Sequence, residues 1–210
     1  MRNYAVIGDP VGHSRSPGMQ NAAFEHYRLG SPYVKRHVRP GELGAFVEEA
    51  RRTLAGFNST VPHKSAIIPY LDEVDPKALA ASSVNTVTVR EDGTLAGTST
   101  DGYGLEMALE TNFGRPLAGA EVCFIGCGGA AHATSFHLAE RGVRTIRLAN
   151  RTLSKAEELA EKLRAANPGL AVETALPSDS DTLARWFAAT DFLIQATSLG
   201  LRETDPAPFD

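Results

Sequence analysis

A hydrophobic run that ends in a glycine cluster constrains the fold of this chain most strongly. Val122–Ile125 leads into Gly126-Cys127-Gly128-Gly129-Ala130-Ala131, a Gly-x-Gly-x-x-Ala pattern at the start of a predicted helix. In a strand–turn–helix unit, glycines at these places let backbone amides approach a pyrophosphate, whose charge is favoured by the positive end of the helix. The alternative is a glycine-rich turn without a ligand, but the position between strand and helix favours a dinucleotide site.

The segments around this motif alternate between strand and helix patterns. We predict strands at 121–126, 145–149, 170–174 and 191–196, and helices at 130–141, 153–166 and 182–188. Such alternation is typical of a parallel sheet with helices on both faces. We therefore predict a Rossmann-type lobe over residues 117–210.

The end of the second strand of this lobe indicates which dinucleotide binds. An NAD site usually has an Asp or Glu there, whereas this chain has Asn150-Arg151-Thr152. A guanidinium can grip a 2′-phosphate in a forked arrangement, and Lys155 adds a second positive charge one turn later. These residues favour NADP. The alternative is that Arg151 is only a solvated surface charge and Thr152 only a helix cap.

The first hundred residues have a less regular pattern. We predict strands at 4–8, 33–38, 84–90 and 94–98, and helices from Ser16, at 41–54 and at 62–71, the last interrupted by Pro69. Residues 103–113 are predicted to form a connecting helix, and Gly114-Arg115-Pro116 marks a boundary. The predicted domains are 1–102, a connecting segment at 103–116, and 117–210.

Two short segments of the first half carry polar groups that packing alone does not explain. Gly56–Lys64 combines a turn glycine, small hydrogen-bonding side chains, a proline and a lysine. It is expected to pack poorly as a plain strand and to hold an amine beside a small polar molecule. Ser16-Pro17 is a good helix start, with the serine oxygen as cap, which leaves Ser14 to face a polar ligand.

The composition argues against several classes of function. The net charge of −4 gives no sign of a nucleic-acid partner, and no apolar run approaches the ~18–20 residues that span a bilayer. The N-terminus lacks the hydrophobic core of a secretory signal. Cys123 and Cys127 lack CxxC spacing and are expected to be buried and reduced, which favours a cytoplasmic protein. His132 and His137 are five residues apart on a predicted helix, so we expect no metal site.

Several linked motifs resemble those of the shikimate dehydrogenase family, in order and in rough spacing. They are Gly8–Pro17, Asn58–Lys64, Val84-Asn85-Thr86, Thr100-Asp101-Gly102, the glycine loop, Asn150-Arg151-Thr152 and Ala196-Thr197-Ser198-Leu199-Gly200. The resemblance covers the whole chain. It implies an α/β protein of two lobes: an N-terminal substrate lobe with a mostly parallel sheet, and a Rossmann-type NADP-binding lobe.

The resemblance also implies an activity and a set of site residues. The activity is the NADP-dependent, reversible reduction of 3-dehydroshikimate to shikimate in aromatic amino-acid (chorismate) biosynthesis. By position, Ser14 and Ser16 would hold the substrate carboxylate, Thr60, Lys64, Asn85 and Asp101 would contact the ring hydroxyls and the reacting oxygen, and Asn58 would brace the loop. The cofactor would bind at Gly126, Gly128, Gly129, Ala130, Asn150, Arg151, Thr152, Lys155 and Thr197. A homodimer stays open.

The proposed acid/base pair suits this chemistry. Reduction of a ketone needs a hydride on carbon and a proton on oxygen. The Lys64 ammonium could stabilise the developing alkoxide and donate the proton, with Asp101 orienting it. For each residue the alternative is an ordinary ion pair or helix cap.

Two rival functions stay open. One is a quinate/shikimate dehydrogenase with relaxed cofactor use. The other is a non-catalytic binding homologue, because family members continue for several elements beyond Gly200. By this resemblance the nucleotide lobe is incomplete at its C-terminus, either in a fragment or in a shortened homologue.

Overall fold

The computed structural model describes residues 3–200 and 204–209. The chain forms two compact units that divide between Thr100 and Asp101. Each unit is built around its own sheet. Within the described residues, no helix is both long enough and apolar enough to cross a membrane.

The first unit has a mixed sheet with helices around it. Its strands are β1 (Asn3–Gly8), β2 (Tyr33–His37), β3 (Leu54–Ser59), β4 (Glu73–Val74), β5 (Thr86–Val89) and β6 (Leu95–Thr98). Its helices are α1 (Ser16–His26), α2 (Leu43–Thr53), α3 (His63–Ala66) and α4 (Pro76–Ala80), with 3₁₀ turns at Pro40–Glu42 and Ile68–Tyr70. The strand order is β2-β1-β3-β5-β6-β4. β5 runs antiparallel to both of its neighbours, and the other pairs are parallel.

Helix α2 supplies much of the core of this unit, as its sequence predicts. Its buried side chains are Leu43, Phe46, Val47 and Ala50, at the spacing of one helix face. The ring of Phe46 meets Phe57 of β3 edge to face, with centroids 5.1 Å apart. This contact fixes α2 on the centre of the sheet.

The expectation that Gly56–Lys64 packs poorly as a strand is wrong for its first part. Residues 56–59 lie in β3, between β1 and β5. A Cβ atom on Gly56 would lie 2.8 Å from the carbonyl oxygen of Val87, so glycine permits the close approach of β5. Only the part after Ser59 leaves the sheet as a loop and a short helix.

The second unit has the predicted alternation of strands and helices. Its strands are β7 (Glu121–Ile125), β8 (Thr145–Ala149), β9 (Ala171–Ala175) and β10 (Phe192–Gln195). Its helices are α5 (Asp101–Phe113), α6 (Gly129–Glu140), α7 (Leu153–Ala166) and α8 (Ser180–Ala189). The strand order is β10-β7-β8-β9, and every pair is parallel. Read from β9, this order corresponds to the first four strands of the Rossmann order 3-2-1-4-5-6, which confirms the predicted fold class.

The elements depart from the prediction in other places as well. Helix α5 begins at Asp101, where we expected the end of a hairpin, because an acidic residue in the first turn suits the positive end of a helix. The prediction also missed β4 and α4. These elements have only two and five residues, too few to show a periodic pattern.

Candidate active site

The predicted substrate residues of the first unit meet at one edge of its sheet. β1 and β3 are parallel, so their carboxyl ends share this edge, and the antiparallel β5 begins there. The backbone N–H of Thr60 donates to Ile7 (2.9 Å), and that of Ser59 donates to the carbonyl of Asn85 (3.0 Å). The sheet therefore brings the loop after β1, Thr60 and Asn85 together.

Lys64 lies at the same edge, in the first turn of α3. Its side chain is half-buried, and its backbone carbonyl accepts a hydrogen bond from the N–H of Val84 (2.9 Å). The preceding residue, His63, is fully buried, with Nε2 2.7 Å from the carbonyl oxygen of Val38. Because a carbonyl only accepts, Nε2 carries the proton. The short helix that carries Lys64 is thus tied to the segment after β2 and to the segment before β5.

The two serines at the start of α1 do not have the capping roles that the sequence predicts. The N-cap residue is Arg15, so Ser16 already lies inside the helix and does not cap it. Instead, Oγ of Ser14 accepts a hydrogen bond from the N–H of Ser16 at 3.3 Å. The hydroxyl that the sequence left unexplained therefore supports the helix start. Both serines are half-buried and two residues apart, at the carboxyl end of β1.

The side chain of Asn58 links β3 to residues of the neighbouring segments at this edge. Its Nδ2 donates to the carbonyl of Asn85 (3.0 Å) and to Oγ1 of Thr86 (3.0 Å). Its Oδ1 accepts from the hydroxyl of Tyr33 at 2.6 Å. Asn85 in turn bonds to Thr100, through Oδ1 to its N–H (3.1 Å) and through Nδ2 to its Oγ1 (3.0 Å).

Asp101 follows Thr100 directly and is the first residue of α5, in the second unit. Its side chain is half-buried. The polar bonds around Asn85 therefore fix the chain immediately before this carboxylate.

The glycine loop of the second unit joins β7 to α6. Gly126 has φ +100°, and a Cβ atom there would lie 2.7 Å from Cγ2 of Thr197 and 3.0 Å from the carbonyl carbon of Ala196. Gly128 is the N-cap residue of α6, and no described atom lies within 4 Å of the place a Cβ would occupy. The loop is thus packed on one side by Thr197 and open where α6 begins.

Asn150 ties this loop to the end of β8. Its Oδ1 accepts from the N–H of Cys127 (3.2 Å), and its Nδ2 donates to the carbonyl of Thr152 (2.7 Å). Thr152 is the N-cap residue of α7, and the first turn of this helix carries Lys155. Arg151, Thr152 and Lys155 are exposed, so two cationic side chains lie at the start of α7.

These features fit a phosphorylated dinucleotide. Backbone amides at the open start of α6 suit a pyrophosphate, and the cations after β8 suit a further phosphate. The chain would hold such a group through Gly128–Ala130, Arg151 and Lys155.

The two cysteines near the loop are free and buried, as expected. Burial raises the pKa of each thiol to about 12. Neither therefore offers a thiolate for chemistry near neutral pH. Among residues 3–200 and 204–209, no group of three or more His, Cys, Asp or Glu is arranged to hold a metal ion.

Sequence reasoning missed three residues that order the site regions. Tyr33 bonds to Asn58, and Gln195 bonds to the N–H of Thr197 (2.6 Å) and to the carbonyl of Leu199 (2.8 Å). Glu106 bonds to His137 of α6 (2.6 Å). Tyr33 and Gln195 lie in predicted strands and Glu106 in a predicted helix, and nothing in the local sequence distinguishes their polar partners.

Comparison with known proteins gives matches along most of the chain. Residues 6–87 match the family described as shikimate dehydrogenase substrate binding domain, and residues 107–199 match shikimate / quinate 5-dehydrogenase. A shikimate dehydrogenase (NADP(+)) of Bacillus anthracis is 41% identical over 203 residues, which cover 95% of this chain and 70% of the relative.

Solved structures agree with the sequence matches. Shikimate dehydrogenase from Aquifex aeolicus has a TM-score of 0.88 at 32% identity, covering 100% of this chain and 74% of that one. The shikimate 5-dehydrogenase of Thermus thermophilus in complex with NADP(H) and shikimate has a TM-score of 0.84 at 32% identity, with the same coverage. Quinate dehydrogenase from Corynebacterium glutamicum in complex with NAD has a TM-score of 0.84 at 27% identity, covering 100% and 75%. This chain belongs to the shikimate dehydrogenase family.

Proposed function

We propose that this chain is an NADP-dependent shikimate dehydrogenase, which interconverts 3-dehydroshikimate and shikimate in chorismate biosynthesis. The observation that carries the proposal is the 41% identity to a shikimate dehydrogenase (NADP(+)) over 95% of the chain. The gathering of Ser14, Ser16, Thr60, Lys64 and Asn85 at one sheet edge supports it, because a small polyol acid needs convergent hydroxyl, amide and ammonium groups.

In the substrate site, each side chain has a role that its chemistry allows. The Ser14 and Ser16 hydroxyls can donate to the substrate carboxylate. Thr60 and Asn85 can bond to ring hydroxyls. We assign this binding role to the domain of residues 1–102, and the cofactor role to residues 117–210, with 103–116 as the connection.

Lys64 and Asp101 form the proposed acid/base pair. In reduction, the Lys64 ammonium stabilises the oxygen as negative charge develops and gives it a proton, so that the ketone becomes an alcohol. In oxidation, the neutral amine takes the proton back. Asp101 orients the amine. The motifs that contain these two residues support the assignment, together with the anchored backbone at Lys64 and at Thr100, the residue before Asp101.

NADPH, when bound, supplies the hydride. The chain's own part is to hold it: Gly126, Gly128, Gly129 and Ala130 at the pyrophosphate, Thr197 against the loop, and Asn150, Arg151, Thr152 and Lys155 near the ribose phosphate. A homodimer and a cytoplasmic location stay predictions.

The test is spectrophotometric turnover of shikimate with NADP⁺, compared with quinate and with NAD⁺. We expect the shikimate and NADP⁺ pair to have the highest kcat/KM. Faster quinate turnover, or equal use of NAD⁺, would favour the quinate/shikimate alternative. Calorimetric binding of shikimate or NADP⁺ without any turnover would favour a non-catalytic homologue.

A further inference from the structure

A continuous series of side-chain hydrogen bonds leads from β2 through the sheet to Asn85. The Tyr33 hydroxyl donates to Oδ1 of Asn58 (2.6 Å), and Nδ2 of Asn58 donates to Oγ1 of Thr86 (3.0 Å). Oγ1 of Thr86 then donates to Oδ1 of Asn85 (2.8 Å). We call these four residues the Tyr33 network.

Backbone groups fix the direction of the hydrogen bonds in the Tyr33 network. The carbonyl of Asn85 can only accept, so the amide nitrogen of Asn58 must face it and the amide oxygen must face Tyr33. At the other end, the N–H of Thr100 can only donate, so Oδ1 of Asn85 must face it. The Tyr33 hydroxyl therefore donates to Asn58, and the Thr86 hydroxyl accepts from Asn58 and donates to Asn85.

The consequence is a defined orientation of the Asn85 amide. Its Oδ1 accepts from both Thr86 and Thr100, which uses the two lone pairs of a carbonyl oxygen. Its Nδ2, with two N–H groups, donates to Oγ1 of Thr100 (3.0 Å). The amide therefore acts as a donor toward any further partner.

Tyr33 is also held in place by contacts outside the Tyr33 network. It is 4% exposed, and its ring meets Phe24 edge to face at 6.3 Å. The side chain of Asn21, on α1, bonds to both the N–H (2.8 Å) and the carbonyl (2.9 Å) of Tyr33. Burial raises the pKa of Tyr33 to about 12, so its hydroxyl stays a proton donor throughout the physiological range.

We propose that Tyr33 is a positioning residue of the substrate site, which acts through Asn58 and Thr86 to hold Asn85 as a hydrogen-bond donor to a substrate oxygen. The proposal rests on the proposed function. It assigns to a buried tyrosine an effect on substrate affinity, although its hydroxyl bonds to Asn58 and reaches Asn85 only through other side chains.

Two isosteric substitutions test the proposal. Tyr33→Phe keeps the ring and removes the donor, and Thr86→Val keeps the shape and removes the hydroxyl. Each should weaken calorimetric binding of shikimate about fivefold, the effect of one neutral hydrogen bond, and leave NADP⁺ binding unchanged. Because both substitutions act through one series of bonds, the loss of shikimate affinity in the double variant should be much smaller than the product of the two single losses.

Two matched controls separate positioning from general damage. Thr86→Ser retains the hydroxyl and should bind shikimate like the unaltered chain. Tyr4→Phe removes a hydroxyl from the other tyrosine that contacts Phe24 (5.1 Å) and should also bind normally. The proposal is overturned if Tyr33→Phe and Thr86→Val bind shikimate normally, even with lowered melting temperatures. If the unaltered chain neither binds nor turns over shikimate, the proposed function fails and this proposal fails with it.

Discussion

The carboxylate of Glu106 on α5 lies 2.6 Å from Nε2 of His137 on α6, and Nε of Arg141 lies 2.5 Å from its other oxygen. The Glu106 side chain is only 6% exposed, whereas those of its two partners are 22% and 53% exposed. A buried carboxylate without such partners would be very costly. This group therefore joins the helix that begins at Asp101 to the helix that follows the glycine loop.

Glu106→Gln should destabilise the chain in a pH-dependent way. The hydrogen bond from His137 is the main cause that lowers the pKa of Glu106 in the folded chain, and the bond from Arg141 adds to it. The folded state then binds fewer protons than the unfolded state at acid pH. The stabilisation is complete above the ordinary glutamate pKa of about 4.3 and is lost as the pH falls through the folded pKa.

Denaturant unfolding at several pH values measures this effect. We expect the variant to lose about 1–3 kcal/mol at neutral pH, and the difference to shrink below about pH 4. Glu158→Gln is the control, because its exposed pair with Lys162 is screened by water and should contribute much less. A loss of the same size at every pH would contradict the ionic role of Glu106.

Lys64→Ala should lower kcat by about 10²–10⁴-fold, the range for loss of a general acid/base, with little change in NADP⁺ affinity. Asp101→Asn should also lower kcat, and the double variant should be hardly worse than Lys64→Ala, because the proposed mechanism uses the two residues together. Steady-state kinetics with calorimetry measures both quantities. Lys77→Ala, at an exposed lysine of α4, is the control. An unchanged rate in Lys64→Ala would remove Lys64 from the mechanism.

The regular second unit could be predicted from the sequence because each element there has a strong local signal. The buried face of α7 follows helical spacing, and β7 is an apolar run that ends at the glycine loop. The first unit was harder. Gly56 looks like a turn residue, and only its neighbour β5 shows why glycine is needed inside a strand.

Part of the candidate site could also be predicted, because local motifs mark some of its residues. Motifs mark the candidate ligand-binding residues, such as Lys64 and Gly128. The supporting partners come from distant parts of the chain: Tyr33 and Asn58 are 25 residues apart, and Glu106 and His137 are 31 apart. Such pairs depend on how strands and helices meet. A single sequence carries no local sign of them.

Two glycine substitutions in the loop should have different effects, one on stability and the other on cofactor binding. Gly126→Ala places a methyl group against Thr197 and Ala196 at a residue with φ +100°, so it should cost about 3 kcal/mol of stability. Gly128→Ala should leave stability nearly unchanged, because φ is −88° and, apart from its chain neighbours, no described atom lies within 4 Å of the place of the added Cβ.

Gly128→Ala should instead weaken NADP⁺ binding, because its methyl group would occupy the place that we propose for the pyrophosphate. Denaturant unfolding and calorimetry, applied to both variants, separate the two effects. Normal NADP⁺ affinity in Gly128→Ala would place the pyrophosphate elsewhere.

The cysteines provide a test of the cofactor site that does not depend on turnover. Cys123 is 0% exposed and Cys127 7% exposed, and burial raises the pKa of both thiols to about 12. At pH 8 only about 10⁻⁴ of each would be thiolate, the form that reacts with disulfide reagents. Labelling should therefore be very slow in the folded chain and rapid in denaturant.

Cys127 should react before Cys123, because it lies in the glycine loop, whereas Cys123 lies within β7. Saturating NADP⁺ should slow the labelling of Cys127, since a ligand that binds the folded loop opposes its opening. The Cys123→Ser and Cys127→Ser variants assign each rate to one thiol. If NADP⁺ binds but the rate at Cys127 does not change, the cofactor does not rest on this loop.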